Sequence, residues 1–230
     1  NKGDRLTIWA EKSNYRFQPT PYNLVVDGDR RDVNFKVSGW YDDFSSTQSK
    51  WDVKNYGDGC WHNYDAQGFR IYISAISSDD ILSVTSPIDI PYNYTVTATM
   101  EPVSGSGMLG LVFNVKDINV GSFYYIFRIK PGTEKGYWEL VKATKTSYGT
   151  TNTVRLVYGE SDIITPDLNI VSVTQDWNRA ILSINNEVIE EVYIDTHAEP
   201  YLMTGLHATK DLGWDYYAWF DDFNITANGF

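Results

Sequence analysis

Carboxylates at strand-like spacing, aromatic side chains flanked by polar ones, and three scattered histidines are the groups of this chain that could do chemistry. The acidic run is Glu187 to Asp195, in which Glu191 and Asp195 share one face of an ideal strand while Glu190 lies on the other. Cleaving a glycosidic bond with retention takes two carboxylates about 5 Å apart. On one strand face that means acidic residues at even spacing. The competing reading is a solvated outer edge, because carboxylates ordinarily stay exposed. His62, His197 and His207 stand far apart with no spacing that suggests a zinc site, and structural or surface histidines are the plain alternative.

Two aromatic stretches offer a different chemistry. Gly59-Cys60-Trp61-His62-Asn63-Tyr64 and Asp211-Leu212-Gly213-Trp214-Asp215-Tyr216-Tyr217 both read as loops, where a rigid scaffold commonly carries its binding residues. A Trp or Tyr ring presents an apolar face to sugar C–H groups, while neighbouring Asn, Asp and His exchange hydrogen bonds with hydroxyls. Trp61, His62, Tyr64, Trp214 and Tyr216 are therefore candidate ligand residues. The alternative is that Trp61 and Trp214 cap the ends of the core.

These groups need elements to position them, and the sequence is written in strands. Runs rich in β-branched and aromatic residues recur between Gly, Pro, Asn, Asp and Ser, the pattern of a sandwich or barrel. Gly68 to Ile73, Tyr94 to Met100, Met108 to Asn114, Phe123 to Ile129 and Tyr137 to Thr144 are the first of them. Thr153 to Tyr158, Ile170 to Gln175, Arg179 to Ile184, Glu187 to Ile194 and Ala218 to Thr226 continue the series. Asn185-Asn186 predicts a two-residue hairpin turn, because Asn tolerates the positive φ such turns require. Residues 1–38 differ: Pro19-Thr20-Pro21 and the loop bearing Asp27, Asp29 and Asp32 interrupt weak strand runs. They read as an arm, or the remnant of a preceding module, too short for its own core. That acidic loop lacks EF-hand spacing, and Arg30 and Arg31 neutralise part of it.

At 230 residues and 42% hydrophobic, the chain can bury a substantial core as one sandwich, placed at 39–230. A formal charge of −11 with no basic run argues against nucleic acid. No stretch approaches the roughly 18 apolar residues of a membrane helix, and Asn1-Lys2-Gly3-Asp4 lacks the apolar run of a signal peptide. Cys60 is alone, so the fold forgoes an intrachain disulfide.

From Trp40 onward an ordered series of motifs becomes visible. Tyr41-Asp42-Asp43-Phe44-Ser45-Ser46, then Trp51, opens it; Gly110-Leu111-Val112-Phe113-Asn114 and Tyr124-Tyr125-Ile126-Phe127-Arg128-Ile129 form its centre. Tyr137-Trp138-Glu139-Leu140, Trp177-Asn178-Arg179 and Thr204-Gly205-Leu206-His207-Ala208 follow, and Trp219-Phe220-Asp221-Asp222-Phe223-Asn224-Ile225 closes it. Together these resemble the concanavalin A-like lectin/glucanase superfamily, especially its laminin G-like and 3-keto-disaccharide hydrolase-like branches. The resemblance implies an all-β fold, a two-sheet antiparallel jelly-roll sandwich with one concave sheet and neighbouring first and last strands. Phe44, Trp51, Phe113, Phe127, Leu140, Leu182 and Phe223 are the expected core.

It also sharpens the candidate sites. If the end strands are neighbours, Asp42, Asp43, Asp221 and Asp222 come close together, a setting that invites structural Ca²⁺, although alternation sends the two Asp of each pair to opposite faces. Hydrogen-bonded or exposed Asp is the alternative. Arg128 and Glu139 would form an ion pair on the concave sheet, either touching sugar or serving as a cross-strand stabiliser. The Glu-x-Asp-x-x-Glu signature of laminarinase-like members is absent, and Gln175 is followed by Asp176-Trp177 where lyase-like members have Gln-x-His.

This superfold hosts many unrelated functions. The expectation is a noncatalytic carbohydrate-binding or adhesion module of a secreted or cell-surface protein, with a glycan or polysaccharide as partner and no nucleic acid or membrane insertion. A glycoside hydrolase-like enzyme and an architectural spacer are the competing readings, and the sequence leaves oligomeric state open.

Overall fold

The computed structural model describes residues 5–18, 22–25, 36–65, 68–77, 81–90, 93–116, 122–145, 151–197 and 202–228. The acidic loop of Asp27, Asp29 and Asp32 and the Pro19-Thr20-Pro21 segment lie outside them. In chain order the strands are β1 (Arg5–Ile8), β2 (Tyr15–Gln18), β3 (Tyr22–Val25), β4 (Lys36–Asp42), β5 (Lys54–Asn55) and β6 (Trp61–Asp65). Then come β7 (Gly68–Ile73), β8 (Ile81–Thr85), β9 (Tyr94–Gly105), β10 (Gly107–Val115), β11 (Phe123–Lys130) and β12 (Gly136–Lys145). The last are β13 (Thr151–Ser161), β14 (Asn169–Asp176), β15 (Arg179–Ile184), β16 (Glu187–Tyr193), β17 (Met203–Lys210) and β18 (Tyr216–Ala227).

Two antiparallel sheets face each other. One has six strands in the order β13-β12-β11-β10-β17-β8, and the other runs β16-β15-β14-β9-β18-β7-β6-β5, with β4 on β18 and β2 on β4. β1 and β3 pair separately. The first and last strands of the sandwich are neighbours, with Asp42 opposite Phe223 and Trp40 opposite Ile225. The N-terminal segment is joined to the larger sheet through β2, where Tyr15 lies opposite Trp40.

Alternation decides which residues enter the core. Val96, Ala98 and Met100 of β9, Val171 and Val173 of β14, and Leu182 and Ile184 of β15 face Leu109, Leu111 and Phe113 of β10, Phe127 of β11 and Leu140 of β12 in one cluster. All seven expected core residues are buried. The predicted Asn185-Asn186 turn is present, both residues at positive φ (50° and 68°) between paired Ile184 and Glu187.

β10 and β11 depart from simple alternation. Every residue of β10 is buried, so these strands are covered on both faces, as their near-continuous apolar runs require. Facing away from the main core, Val112, Val115, Tyr124, Ile126, Val141 and Ala143 make a second buried cluster. Among the described residues, no helix is long and apolar enough to cross a membrane.

Candidate functional site

The outer face of the six-stranded sheet, the one carrying that second cluster, also carries a line of polar side chains. Register aligns Tyr158, Glu139, Arg128, Gly110, His207 and Ser83 in one row across β13, β12, β11, β10, β17 and β8. Arg128 donates from Nε (2.8 Å) and Nη2 (2.6 Å) to Glu139 Oε1. Arg155 Nε donates to Glu139 Oε2 at 2.6 Å, and the Tyr137 hydroxyl donates to the same oxygen at 3.0 Å. Both oxygens of one carboxylate are thus engaged, by two guanidiniums and a phenol.

Arg155 reaches this face because of a β-bulge. Tyr158 pairs with Glu139 and Val157 with Leu140, but the next paired residue is Arg155, opposite Val141. The extra residue, Leu156, shifts the parity, so Tyr158 and Arg155 share a face at odd spacing. The Arg155 guanidinium lies 4.9 Å from the Tyr158 ring centre and 5.8 Å from that of Tyr137. The two rings are 6.1 Å apart. Tyr158 is 60% exposed, and the Arg155 side chain is 53% exposed.

Gly110 is required where the row crosses β10. A Cβ there would sit 2.1 Å from Phe127 O and 2.9 Å from Arg128 Cβ. Without it, Arg128 Nη1 spans the strand to within 3.5 Å of His207 Nε2, whose Nδ1 is 2.9 Å from Ser83 Oγ. Burial, reinforced by the Arg128 charge, holds the His207 imidazole well below its ordinary range, so it is neutral near pH 7. Burial alone would raise the Glu139 carboxyl, but Arg128, Tyr137 and Arg155 outweigh it and the carboxyl is held below its usual value. Glu139 is therefore a fixed anion, unsuited to giving a proton to a leaving group.

Of the aromatic stretches, the structure corrects the first and divides the second. Residues 61–65 are not a loop but strand β6, paired with β7. Alternation therefore separates Trp61 from its neighbours. His62 is buried, its ring nitrogens bonded to Asp52 O (2.9 Å) and Tyr56 Oη (3.1 Å). Tyr64 packs beside Phe44 and Phe69, and its hydroxyl accepts from Trp51 N. Trp61, on the opposite face, packs on Tyr72 and Tyr217 with ring centres 5.8 and 5.6 Å away.

Trp214 does lie in a turn and is 61% exposed, while Tyr216 is a buried member of the core. The two stretches meet through Trp61 and Tyr217. The rings gather on the outer face of the larger sheet, away from Arg128 and Glu139.

The acidic candidates each have their own partner. Asp42 is buried, Oδ1 accepting from Phe44 N and Oδ2 from Trp51 Nε1, both at 2.9 Å. Asp43 caps Ser45 through its backbone and hydroxyl. Asp221 accepts from Asp222 N, and Asp222 accepts from the Tyr41 hydroxyl at 2.6 Å. Pairing of β4 with β18 brings these residues near one another as expected. Yet among the described residues no group of three or more His, Cys, Asp or Glu side chains is gathered that could hold a metal ion. Each of the four carboxylates accepts a hydrogen bond from its own surroundings. In the acidic run, Glu191 pairs with Arg179 and Asp195 with Lys142, each at 2.6 Å and at different places on the fold.

No protein-family model matches the chain, and no curated protein does. Solved structures do. The carbohydrate-binding module CBM66 from Bacillus subtilis superposes with a TM-score of 0.56 at 13% identity, over 78% of this chain and 96% of that one. A Bacillus licheniformis β-glucanase gives 0.54 at 12%, over 83% and 99%. A Bacillus subtilis protein of unknown function with a galectin-like fold gives 0.54 at 15%, over 82% and 94%. At such identities the likeness defines the fold: this is a concanavalin A-like jelly roll.

Sequence reasoning paired Arg128 with Glu139 but missed Arg155, Tyr137 and Tyr158. The signal for Tyr137 and Tyr158 was available in strand alternation once β12 and β13 were paired. The bulge that brings Arg155 round has no local signature.

Proposed function

We propose that the chain is a noncatalytic carbohydrate-binding or adhesion module of a secreted or cell-surface protein, taking its glycan on the outer face of the six-stranded sheet. The observation that carries this reading is the engagement of Glu139 by Arg128, Arg155 and Tyr137 beside the exposed Tyr158 ring. An aromatic face next to fixed donors suits a sugar, whose C–H groups stack while its hydroxyls hydrogen-bond. Hydrolysis would need a protonated acid and a second carboxylate within about 5 to 10 Å. The one buried carboxylate of the row is held ionised. Solved folds of this type include a carbohydrate-binding module as well as β-glucanases, so both chemistries are compatible with the scaffold and the residues must decide.

A glycan array and a reducing-sugar release assay on the same preparation test this. Binding without release is the expected result. Release of reducing ends from a bound glycan would turn the protein into an enzyme and defeat the proposal.

A further inference from the structure

We infer that the glycan taken at this face is anionic, with a carboxylate or sulfate group read by the free edge of Arg155. The inference rests on the glycan-binding reading and adds the class of sugar.

Charge counting leads to it. Glu139 supplies one negative charge to two guanidiniums, so the Arg128, Glu139 and Arg155 group keeps one positive charge uncompensated. Lys130, the next cation on this face, is already paired with Asp211 at 2.5 Å. The surplus stands out on a chain of formal charge −11. It also sits on the member of the group that solvent reaches: the Arg128 side chain is only 12% exposed, and Glu139 3%. Arg155 engages Glu139 through Nε. Among the described residues no hydrogen bond engages its two Nη groups, which form the edge that grips a carboxylate or sulfate with two parallel bonds.

The guanidinium is also held in place. Tyr158 and Tyr137 flank it and Glu139 anchors it, so little freedom is lost when an anion binds. Tyr158 then offers a ring to the sugar that bears the charge. Glu160 pairs with Tyr137 one row away on β13, and its carboxylate would repel an anion placed on that side of Tyr158.

Matched pairs of glycans test this by calorimetry at low and high salt: oligogalacturonate against its methyl ester, and a sulfated galactan against its desulfated form. The pairs separate a uronate from a sulfate. The wild type should bind one acidic member about tenfold or more tighter than its uncharged partner, with the gap shrinking as salt rises. Arg155→Gln should close that gap to within about twofold, and Arg155→Lys, which keeps the charge and loses the fork, should retain part of it. Thermal melts confirm that each variant is folded, and Arg155→Lys serves if Arg155→Gln is not. Equal or tighter binding of the uncharged partners overturns the inference and leaves the glycan reading standing. So does an acidic preference that survives Arg155→Gln. If no glycan of any charge binds, the glycan reading itself falls.

Discussion

Arg155 and Glu139 are sixteen positions apart in sequence and joined by a 2.6 Å hydrogen bond across β12 and β13, and Arg128 closes on the same carboxylate from the other side. Removing the shared anion leaves two cations facing each other with nothing between them. Breaking a buried ion pair by deleting one partner costs about 3–5 kcal/mol, and the half-exposed Arg155 lets solvent soften that. Glu139→Gln should therefore lower the unfolding free energy by about 2–4 kcal/mol in urea titration. A loss below about 1 kcal/mol would mean the pairing contributes little.

Both buried imidazoles have pKa values lowered chiefly by burial, His207 well below 6.5 and His62 below it. In the window beneath 6.5 the unfolded chain binds more protons than the folded one, so stability rises with pH there. Unfolding free energy should be level above pH 7 and fall as pH drops through 6.5. Asp42 and Asp221, raised first by burial, act in the opposite sense, but only in the carboxylate range. Stability at pH 5.5 equal to that at pH 7.5 would contradict this account.

How much of this was legible beforehand follows from what each feature depends on. Neighbouring first and last strands, Trp40 to Asp42 against Phe223 to Ile225, could be foreseen because motif order along the chain carries topology, and the Asn185-Asn186 turn because it is local chemistry. Trp61, His62 and Tyr64 were grouped wrongly because polar residues in β6 masked a strand, and a strand divides neighbours between two faces. Arg155 escaped notice because its face is set by a bulge at Leu156, a register feature visible only once β12 and β13 are paired.

Trp61 and Trp214 should respond differently to truncation. Trp214 is exposed in its turn, so Trp214→Ala should change stability by less than about 0.5 kcal/mol. Trp61 is half-buried against Tyr72 and Tyr217. Trp61→Ala should cost about 2 kcal/mol, some half of the loss for a core aromatic. Equal costs measured by urea unfolding would show that the two rings sit in like environments.

Excess EDTA should leave the melting temperature unchanged, because Asp42, Asp43, Asp221 and Asp222 are held by their own hydrogen bonds. A bound cation stabilises by mass action. A melt lowered by chelator and restored by calcium would therefore reveal a site that these hydrogen bonds do not describe.

The most direct test is to add a glycan selected on the array to ¹⁵N-labelled protein and map the amide shifts. Perturbations are expected on β12 and β13 around Tyr137, Arg155 and Tyr158, extending to Arg128 on β11. Shifts centred instead on Trp61 and Tyr217 of the larger sheet and on Trp214 in its turn would contradict the account.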